Sequence, residues 1–146
     1  MILDVLVFAA HPDDAELSMG GTIAKLTSAG LKVGIIDLSK GELGTRGSAE
    51  IRKKEAHDAG EILKIALREN LELKDGSLKF NDEYLKKIIS RIRKFQPKII
   101  FAPYFNDRHP DHIGTSQLVK EAMFFSGLAK INTEDNERIQ TPYRPQ

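Results

Sequence analysis

Cysteine is absent from this sequence of 146 residues. Disulfide bonds and thiolate metal sites are therefore excluded, and any bound metal must be held by histidine, aspartate or glutamate. A charge excess of one sign is also missing, because 22 lysines and arginines are balanced by 21 aspartates and glutamates. We therefore expect neither nucleic acid nor a membrane surface as a partner.

A hydrophobic run long enough to cross a bilayer is missing as well. The apolar run over residues 2–10 has no basic segment before it and is followed at once by His11 and Pro12. Such a run is too short to span a membrane and is a poor signal peptide. We therefore expect a cytoplasmic protein, and the chain length fits one globular domain.

Hydrophobic periodicity predicts alternating strands and helices. Strands are predicted over residues 2–9, 31–38, 71–73 and 99–102, and helices over residues 14–29, 49–68, from 81 or 82 to about 97, and from 111 onward. This order is typical of an α/β fold of the Rossmann-like type, a mainly parallel sheet with helices on both faces (three layers, α/β/α). We place the domain over residues 1–130. The remainder, residues 131–146, is polar, contains Pro142 and Pro145, and has the composition of a partly disordered tail.

Three of the four histidines lie in two short clusters, each after a predicted strand. One cluster is the segment from His11 to Asp14, and the other is the segment from His109 to His112. Ligands of parallel sheets bind outside the carboxyl ends of the strands, so the fold would bring the two clusters together. Catalytic zinc takes three protein ligands and keeps one position open. His11, Asp14 and His112 supply two imidazoles and a carboxylate, which predicts one zinc ion per chain, although such sites also accept other first-row ions.

The remaining polar side chains of the clusters suit hydrolysis by activated water. Asp13 is left beside the metal ligands and would accept a proton from the water. His109 would stabilise an oxyanion or protonate a leaving amine, and Asp111 would orient it. A simpler interpretation is that Asp13 and Asp14 only cap the first helix, with Asp13 and Glu16 at capping-box spacing. Two matching clusters at two strand ends are difficult to explain by capping alone.

The two clusters resemble those of the PIG-L/LmbE-like family of zinc-dependent N-acetylglucosamine deacetylases. The resemblance covers residues 1–127 and rests on the segment 10–14 together with His109, Pro110, Asp111 and His112. It implies an amidohydrolase that removes the acetyl group from an amino-sugar conjugate. Its implied roles agree with the assignments above: zinc ligands His11, Asp14 and His112, general base Asp13, and His109 backed by Asp111.

Two further segments resemble one branch of this family. Residues 41–47 and 106–108 look like those of the N-acetylglucosaminyl malate deacetylases of bacillithiol biosynthesis. The resemblance implies that Arg52 and Arg108 hold the malate carboxylates, a task that suits the planar guanidinium fork. Arg46 is a third candidate. The alternative for Arg52 is an ordinary solvated helix face, since it opens a run of charged residues.

Family members normally continue with a further strand and helix that complete the sheet. We therefore expect that the chain lacks the C-terminal part of the family fold, and that it forms a homo-oligomer. A non-catalytic metal-binding or sugar-binding module of the same fold is the main alternative to an enzyme. A Mg²⁺-dependent phosphoryl-transfer enzyme fits two histidines poorly, because Mg²⁺ prefers oxygen ligands.

Two other enzyme classes lack their signatures. A dinucleotide-binding oxidoreductase requires a G-x-G-x-x-G turn after the first strand, and a nucleobase deaminase requires H-x-E and C-x-x-C ligands. Neither pattern occurs in the sequence.

Overall fold

The computed structural model describes residues 1–45 and 47–145. Four parallel strands form the central sheet in the order β3-β2-β1-β4. The strands are β1 (Val5–Ala9), β2 (Val33–Ser39), β3 (Leu67–Leu73) and β4 (Ile99–Phe101). The helices are α1 (Asp14–Ser28), α2 (Ala49–Leu63), α3 (Asp82–Phe95) and α4 (Pro110–Phe125). The predicted α/β fold with a parallel sheet is confirmed.

Alternate residues of β1 face opposite sides of the sheet, and both sides are covered. Leu6 and Phe8 pack in a core with α3 and α4, whereas Val5 and Val7 pack in a second core with α1. Every residue of β1 and β2 is therefore buried. This arrangement explains why the two strands are continuous apolar runs rather than alternating ones. It also confirms the three layers.

The second helix ends five residues earlier than its periodicity predicts. Lys64 adopts a left-handed conformation, with φ 53°, and its backbone N–H donates to the Gly60 and Glu61 carbonyls. Ile65 then packs back against Gly60, whose missing side chain leaves room for it. Residues 67–70, predicted as helix or connection, instead extend β3, because pairing with β2 supplies their backbone hydrogen bonds. The prediction that the helix reached residue 68 was wrong.

Strand β4 is largely exposed, although its sequence is apolar. Ile99 is 50% exposed and Phe101 is 37% exposed. The physical reason is that β4 lies at the edge of the sheet, paired with β1 on one side. Among the described residues, no strand pairs with its other side.

The polar tail makes defined contacts, which differ from the partial disorder that its composition predicts. Residues Glu134–Asp135 (β5) and Arg138–Ile139 (β6) form an antiparallel pair. The buried Arg93 guanidinium donates to the carbonyls of Leu128 and Ile131, and the Tyr143 hydroxyl donates to the Pro97 carbonyl. The contacts of Ile131 and Tyr143 attach the tail to α3 and to Pro97, two residues beyond its end. The domain boundary near residue 130 stays a prediction.

No helix among residues 1–45 and 47–145 combines the length and the apolar character that a membrane crossing requires.

Candidate metal centre

The parallel pairing of β1 with β4 brings the two histidine clusters together. Val7 of β1 is in register with Phe101 of β4, so both strands end at the same edge of the sheet. His11 lies two residues after the end of β1, and His112 lies in the first turn of α4, which begins after the loop that follows β4. The predicted meeting of clusters separated by about a hundred residues is therefore confirmed as a geometric arrangement.

Asp14 lies between the two predicted histidine ligands. Its Oδ2 atom is 3.2 Å from His11 Nδ1, and its Oδ1 atom is 3.3 Å from His112 Nε2. One donor atom of each of the three residues lies within 4.8 Å of the others. Donors held about 2.0–2.2 Å from one tetrahedral zinc are roughly 3.4 Å apart, and the two spacings between Asp14 and the histidines are close to that value.

Each candidate histidine ligand has a carboxylate partner on its other ring nitrogen. His11 Nε2 is 3.1 Å from Asp75 Oδ1 and 3.3 Å from Asp111 Oδ2. His112 Nδ1 is 3.1 Å from Asp107 Oδ2. Such partners fix the tautomer and the orientation of metal-ligating histidines. These contacts therefore orient both rings so that one nitrogen of each faces Asp14.

The electrostatics of the cluster follow from these contacts. Burial alone would lower the pKa of His11, but the hydrogen bond to Asp14 and the charges of Asp14 and Asp75 raise it to about 9. Burial would raise the pKa of Asp14, yet the hydrogen bonds from the His11 ring and backbone lower it. The metal-free cluster thus favours a protonated His11 beside an ionised Asp14. Metal binding must release that proton, since ligands bind in their deprotonated forms.

The sequence predicted that Asp111 orients His109. In the structure the Asp111 carboxylate has other partners and does not contact His109. Asp111 is 2% exposed and its carboxylate accepts hydrogen bonds from the backbone N–H groups of Gly76 (2.7 Å) and Leu78 (3.1 Å), while its Oδ2 faces His11. Burial would raise the pKa of Asp111, but these backbone donors lower it. The backbone N–H of Asp111, not its side chain, contacts His109.

His109 occupies the N-cap position of α4. Its Nδ1 atom accepts the Asp111 backbone N–H at 3.2 Å, which places the proton of a neutral ring on Nε2. The exposed ring lies 4.9 Å from the His11 ring and 4.7 Å from the His112 ring, measured between centroids. His109 is thus next to the metal centre, with a hydrogen-bond donor available.

Asp13 does not cap α1 through its side chain. Its backbone φ is 126°, an unfavourable region for a residue other than glycine, and its carboxylate makes no cap hydrogen bond. The side chain is half exposed and its Oδ2 accepts from Arg52 Nη2 at 3.0 Å. The capping-box alternative is therefore wrong for Asp13, whose carboxylate is paired with Arg52 instead.

The three predicted substrate arginines have different surroundings. Arg52 contacts Asp13 rather than facing solvent, Arg108 is exposed on the loop before α4, and Arg46 lies outside the described residues. His57, to which the sequence gave no role, is exposed on α2.

A cavity of about 420 Å³ opens beside the candidate metal ligands. Its lining includes Asp14, His112 and Asp107, together with Tyr104 and Met19. Cavities of this size accommodate small organic ligands. The cluster therefore borders space for a substrate.

Sequence reasoning missed Asp75 and gave Asp107 no role. Asp75 resembles an ordinary turn residue before Gly76, and nothing in its spacing indicates a contact with His11. Besides that contact, its Oδ2 accepts the Leu43 backbone N–H at 2.8 Å. Asp107 lies five residues before His112, and this short separation was a usable signal.

Comparison with known proteins gives a consistent assignment. The family model PIG-L, described as GlcNAc-PI de-N-acetylase, matches residues 6–123. Diacetylchitobiose deacetylase of Thermococcus kodakarensis is 35% identical over 143 residues, which covers 90% of this chain and 53% of that protein. A probable N-acetyl-alpha-D-glucosaminyl L-malate deacetylase 2 of Bacillus cereus is 33% identical over 132 residues, covering 82% of this chain and 60% of that protein.

A solved structure shows the same fold at higher identity. The crystal structure of the conserved protein TT1542 from Thermus thermophilus has a TM-score of 0.91 and 42% identity, covering 99% of this chain and 63% of that chain. The chain thus spans roughly half to two thirds of the length of these relatives. The family match extends over most of the sequence and includes every residue of the candidate metal site. The chain therefore belongs to the PIG-L family of GlcNAc-PI de-N-acetylases.

Proposed function

We propose that this chain hydrolyses the acetamide bond of an N-acetylglucosamine conjugate, with one divalent metal ion, most suitably zinc, held by His11, Asp14 and His112. The observation that carries the proposal is the spacing of 3.2 and 3.3 Å between the Asp14 oxygens and the two histidine nitrogens, in a chain of this family. The chemistry that such an ion supplies is Lewis acidity, which polarises an amide carbonyl and makes water more acidic.

The side chains of this chain supply the proton transfers. Asp13, which is not among the proposed ligands, accepts the proton of the attacking water. His109 directs its Nε2–H toward the oxyanion or the departing nitrogen, because its Nδ1 is occupied by the Asp111 backbone N–H. Asp75 and Asp111 hold the His11 ring in place, and Asp107 holds the His112 ring. The products are acetate and a free amine.

The aglycone proposed for the substrate is malate, and N,N′-diacetylchitobiose is the second candidate. The Bacillus cereus relative is named for a glucosaminyl malate and the Thermococcus relative for diacetylchitobiose. The exposed Arg108, at the end of the loop segment 106–108, supports an anionic aglycone, since a guanidinium pairs bidentately with a carboxylate. Homo-oligomer formation stays a prediction, to be measured by light scattering.

The test is primary-amine release by protein of known metal content, with and without a chelator. Substrates are N-acetylglucosaminyl malate, N-acetylglucosamine and N,N′-diacetylchitobiose. We expect release that the chelator abolishes and that zinc restores. Asp13→Asn should keep the metal and lower kcat by about 10²–10⁴-fold, the range of general base catalysis. Release that persists in metal-free protein would refute the metal assignment.

Metal content gives a readout that does not depend on turnover. His112→Ala should lose stoichiometric zinc, whereas His57→Ala on the exposed face of α2 is the matched control and should retain it. Stoichiometric zinc without amine release from any of the three substrates would favour the alternative, a metal-binding or sugar-binding module without turnover.

A further inference from the structure

The Arg52 guanidinium is held between two elements of the site edge. Its Nη2 donates to Asp13 Oδ2 at 3.0 Å, and its Nη1 donates to the Gly41 carbonyl at 2.9 Å. The side chain is 21% exposed, whereas the next two residues of α2, Lys53 and Lys54, are on the exposed face. Arg52 thus connects α2 to the turn after β1 and to the loop after β2.

Gly41 and Gly44 of this loop form a recess for the guanidinium, which we call the seat. A Cβ atom added to Gly41 would overlap Arg52 Nη1, and one added to Gly44 would lie 2.9 Å from the same atom. The seat is attached to β1 through Ser39, whose Oγ accepts the Gly41 N–H at 3.3 Å and donates to the Ala10 carbonyl at 2.9 Å. Close contact of guanidinium and backbone is possible only because these positions lack side chains.

Asp13 depends on this contact for the direction of its side chain. Its backbone has φ 126°, and its half-exposed carboxylate makes no cap hydrogen bond to α1. Within residues 1–45 and 47–145, the only hydrogen-bond partner of the carboxylate is Arg52. Without Arg52 the carboxylate would not keep one orientation relative to the neighbouring Asp14, because an exposed side chain samples several rotamers.

We propose that Arg52 is a positioning residue that holds Asp13 for proton transfer and is seated by Gly41 and Gly44, instead of an anchor for the anionic part of the substrate. The proposal rests on the proposed function, in which Asp13 is the general base. Each Nη atom already donates one hydrogen bond, one to the carboxylate and one to the carbonyl, and the side chain is 21% exposed. An anionic aglycone that paired with the Nη2 atom would compete with Asp13 for it. Recognition of that anion falls instead to other cations, of which Arg108 is exposed.

The two roles of Arg52 predict different kinetics. As a positioning residue, Arg52→Met lowers kcat by about 10–100-fold for N-acetylglucosaminyl malate and for neutral N-acetylglucosamine alike, with little change in KM, because a base displaced by about 1 Å loses up to that factor. As an anion anchor, Arg52→Met would raise KM for the malate conjugate and leave turnover of the neutral sugar unchanged. That second result overturns the proposal.

Alanine substitutions at two glycines distinguish loss of the guanidinium contact from a general disturbance of the loop. Gly41 and Gly47 both have positive φ, 66° and 74°, so alanine is strained at either position. A Cβ added at Gly41 overlaps the guanidinium, whereas a Cβ added at Gly47 has its nearest neighbour, a side-chain atom of Ile51, 3.7 Å away. Gly41→Ala should therefore lower kcat as Arg52→Met does, and Gly47→Ala should not. Equal losses of kcat in the two alanine variants would overturn the proposal that Gly41 seats the guanidinium.

Hydrogen exchange tests the contact without turnover. Loss of the guanidinium frees the Gly41 carbonyl, so the Leu43 and Gly44 amides should exchange about tenfold faster in Arg52→Met than in Lys53→Met, the matched exposed control. If the wild-type chain releases no amine, the proposed function fails while this comparison still decides whether Arg52 holds the loop. Unchanged exchange in Arg52→Met would overturn the positioning role.

Discussion

Replacement of Asp111 tests whether a buried carboxylate supports both the fold and the metal centre. Its oxygens accept the backbone N–H groups of Gly76 and Leu78 and face His11 Nε2. Asp111→Ala leaves two donors without their acceptor. The Leu78 N–H is buried and costs about 1–3 kcal/mol when unpaired, whereas the exposed Gly76 reaches water at little cost.

A further contribution comes from the position of Asp111 in the first turn of α4. An acidic residue there stabilises the helix by about 0.3–1 kcal/mol. We therefore expect Asp111→Ala to lower the free energy of unfolding by about 1–4 kcal/mol, from the sum of these contributions. Asp111→Asn keeps one acceptor oxygen and should cost about half as much, on the same reasoning.

The assay is urea unfolding of metal-free protein, combined with zinc titration of the folded protein. Removal of a carboxylate behind a metal-ligating histidine typically weakens metal binding by about 10–100-fold, and we expect this for both variants. His57→Ala serves as the control for a change at an exposed site. An unchanged urea midpoint together with an unchanged zinc affinity in Asp111→Ala would refute the reasoning.

Three other predictions concern stability. Gly114→Ala should destabilise the fold by about 3 kcal/mol, the upper end for overpacking, because the new Cβ overlaps the backbone carbonyl oxygen of Leu78. In the control Gly21→Ala, in α1, the new Cβ meets nothing within 4 Å and should stabilise the fold by about 0.5–1 kcal/mol. Equal urea midpoints of the two variants would contradict this prediction. Arg68→Met should lower the free energy of unfolding by about 3–5 kcal/mol, because it leaves the Asp37 carboxylate without its bidentate partner. Burial raises the pKa of Asp37, so the unpaired charge is unfavourable there. An unfolding curve like that of the wild type would exclude this role. Asp4→Asn should lower Tm at pH 7, because backbone and lysine donors lower the pKa of Asp4 in the folded state. The difference in Tm between variant and wild type should disappear as the pH falls below 3.8, the ordinary pKa of the group. A difference in Tm that does not depend on pH would argue against this prediction.

The order of elements and the members of the metal cluster could be predicted from the amino-acid pattern. Apolar runs and helical stripes indicate four strands and four helices, because each must bury one or both faces. The absence of cysteine limits the ligands to histidine and carboxylate, and two clusters at strand ends indicate where they meet. Parallel strands place their carboxyl ends at one edge, so His11, Asp14 and His112 could be grouped before their distances were known.

Which carboxylate serves which histidine depends on the three-dimensional arrangement. Asp75 meets His11 because the turn after β3 lies beside the end of β1, a contact between residues far apart along the chain. Asp111 faces His11 rather than His109 because backbone donors from residues 76 and 78 fix its carboxylate. Arg52 is one charge in a run of charged residues, and only the tertiary structure shows that it contacts Asp13 and the Gly41 carbonyl. Local patterns carry the periodicity that burial imposes, but side-chain partners across the sheet depend on strand order and loop paths, which no local pattern encodes.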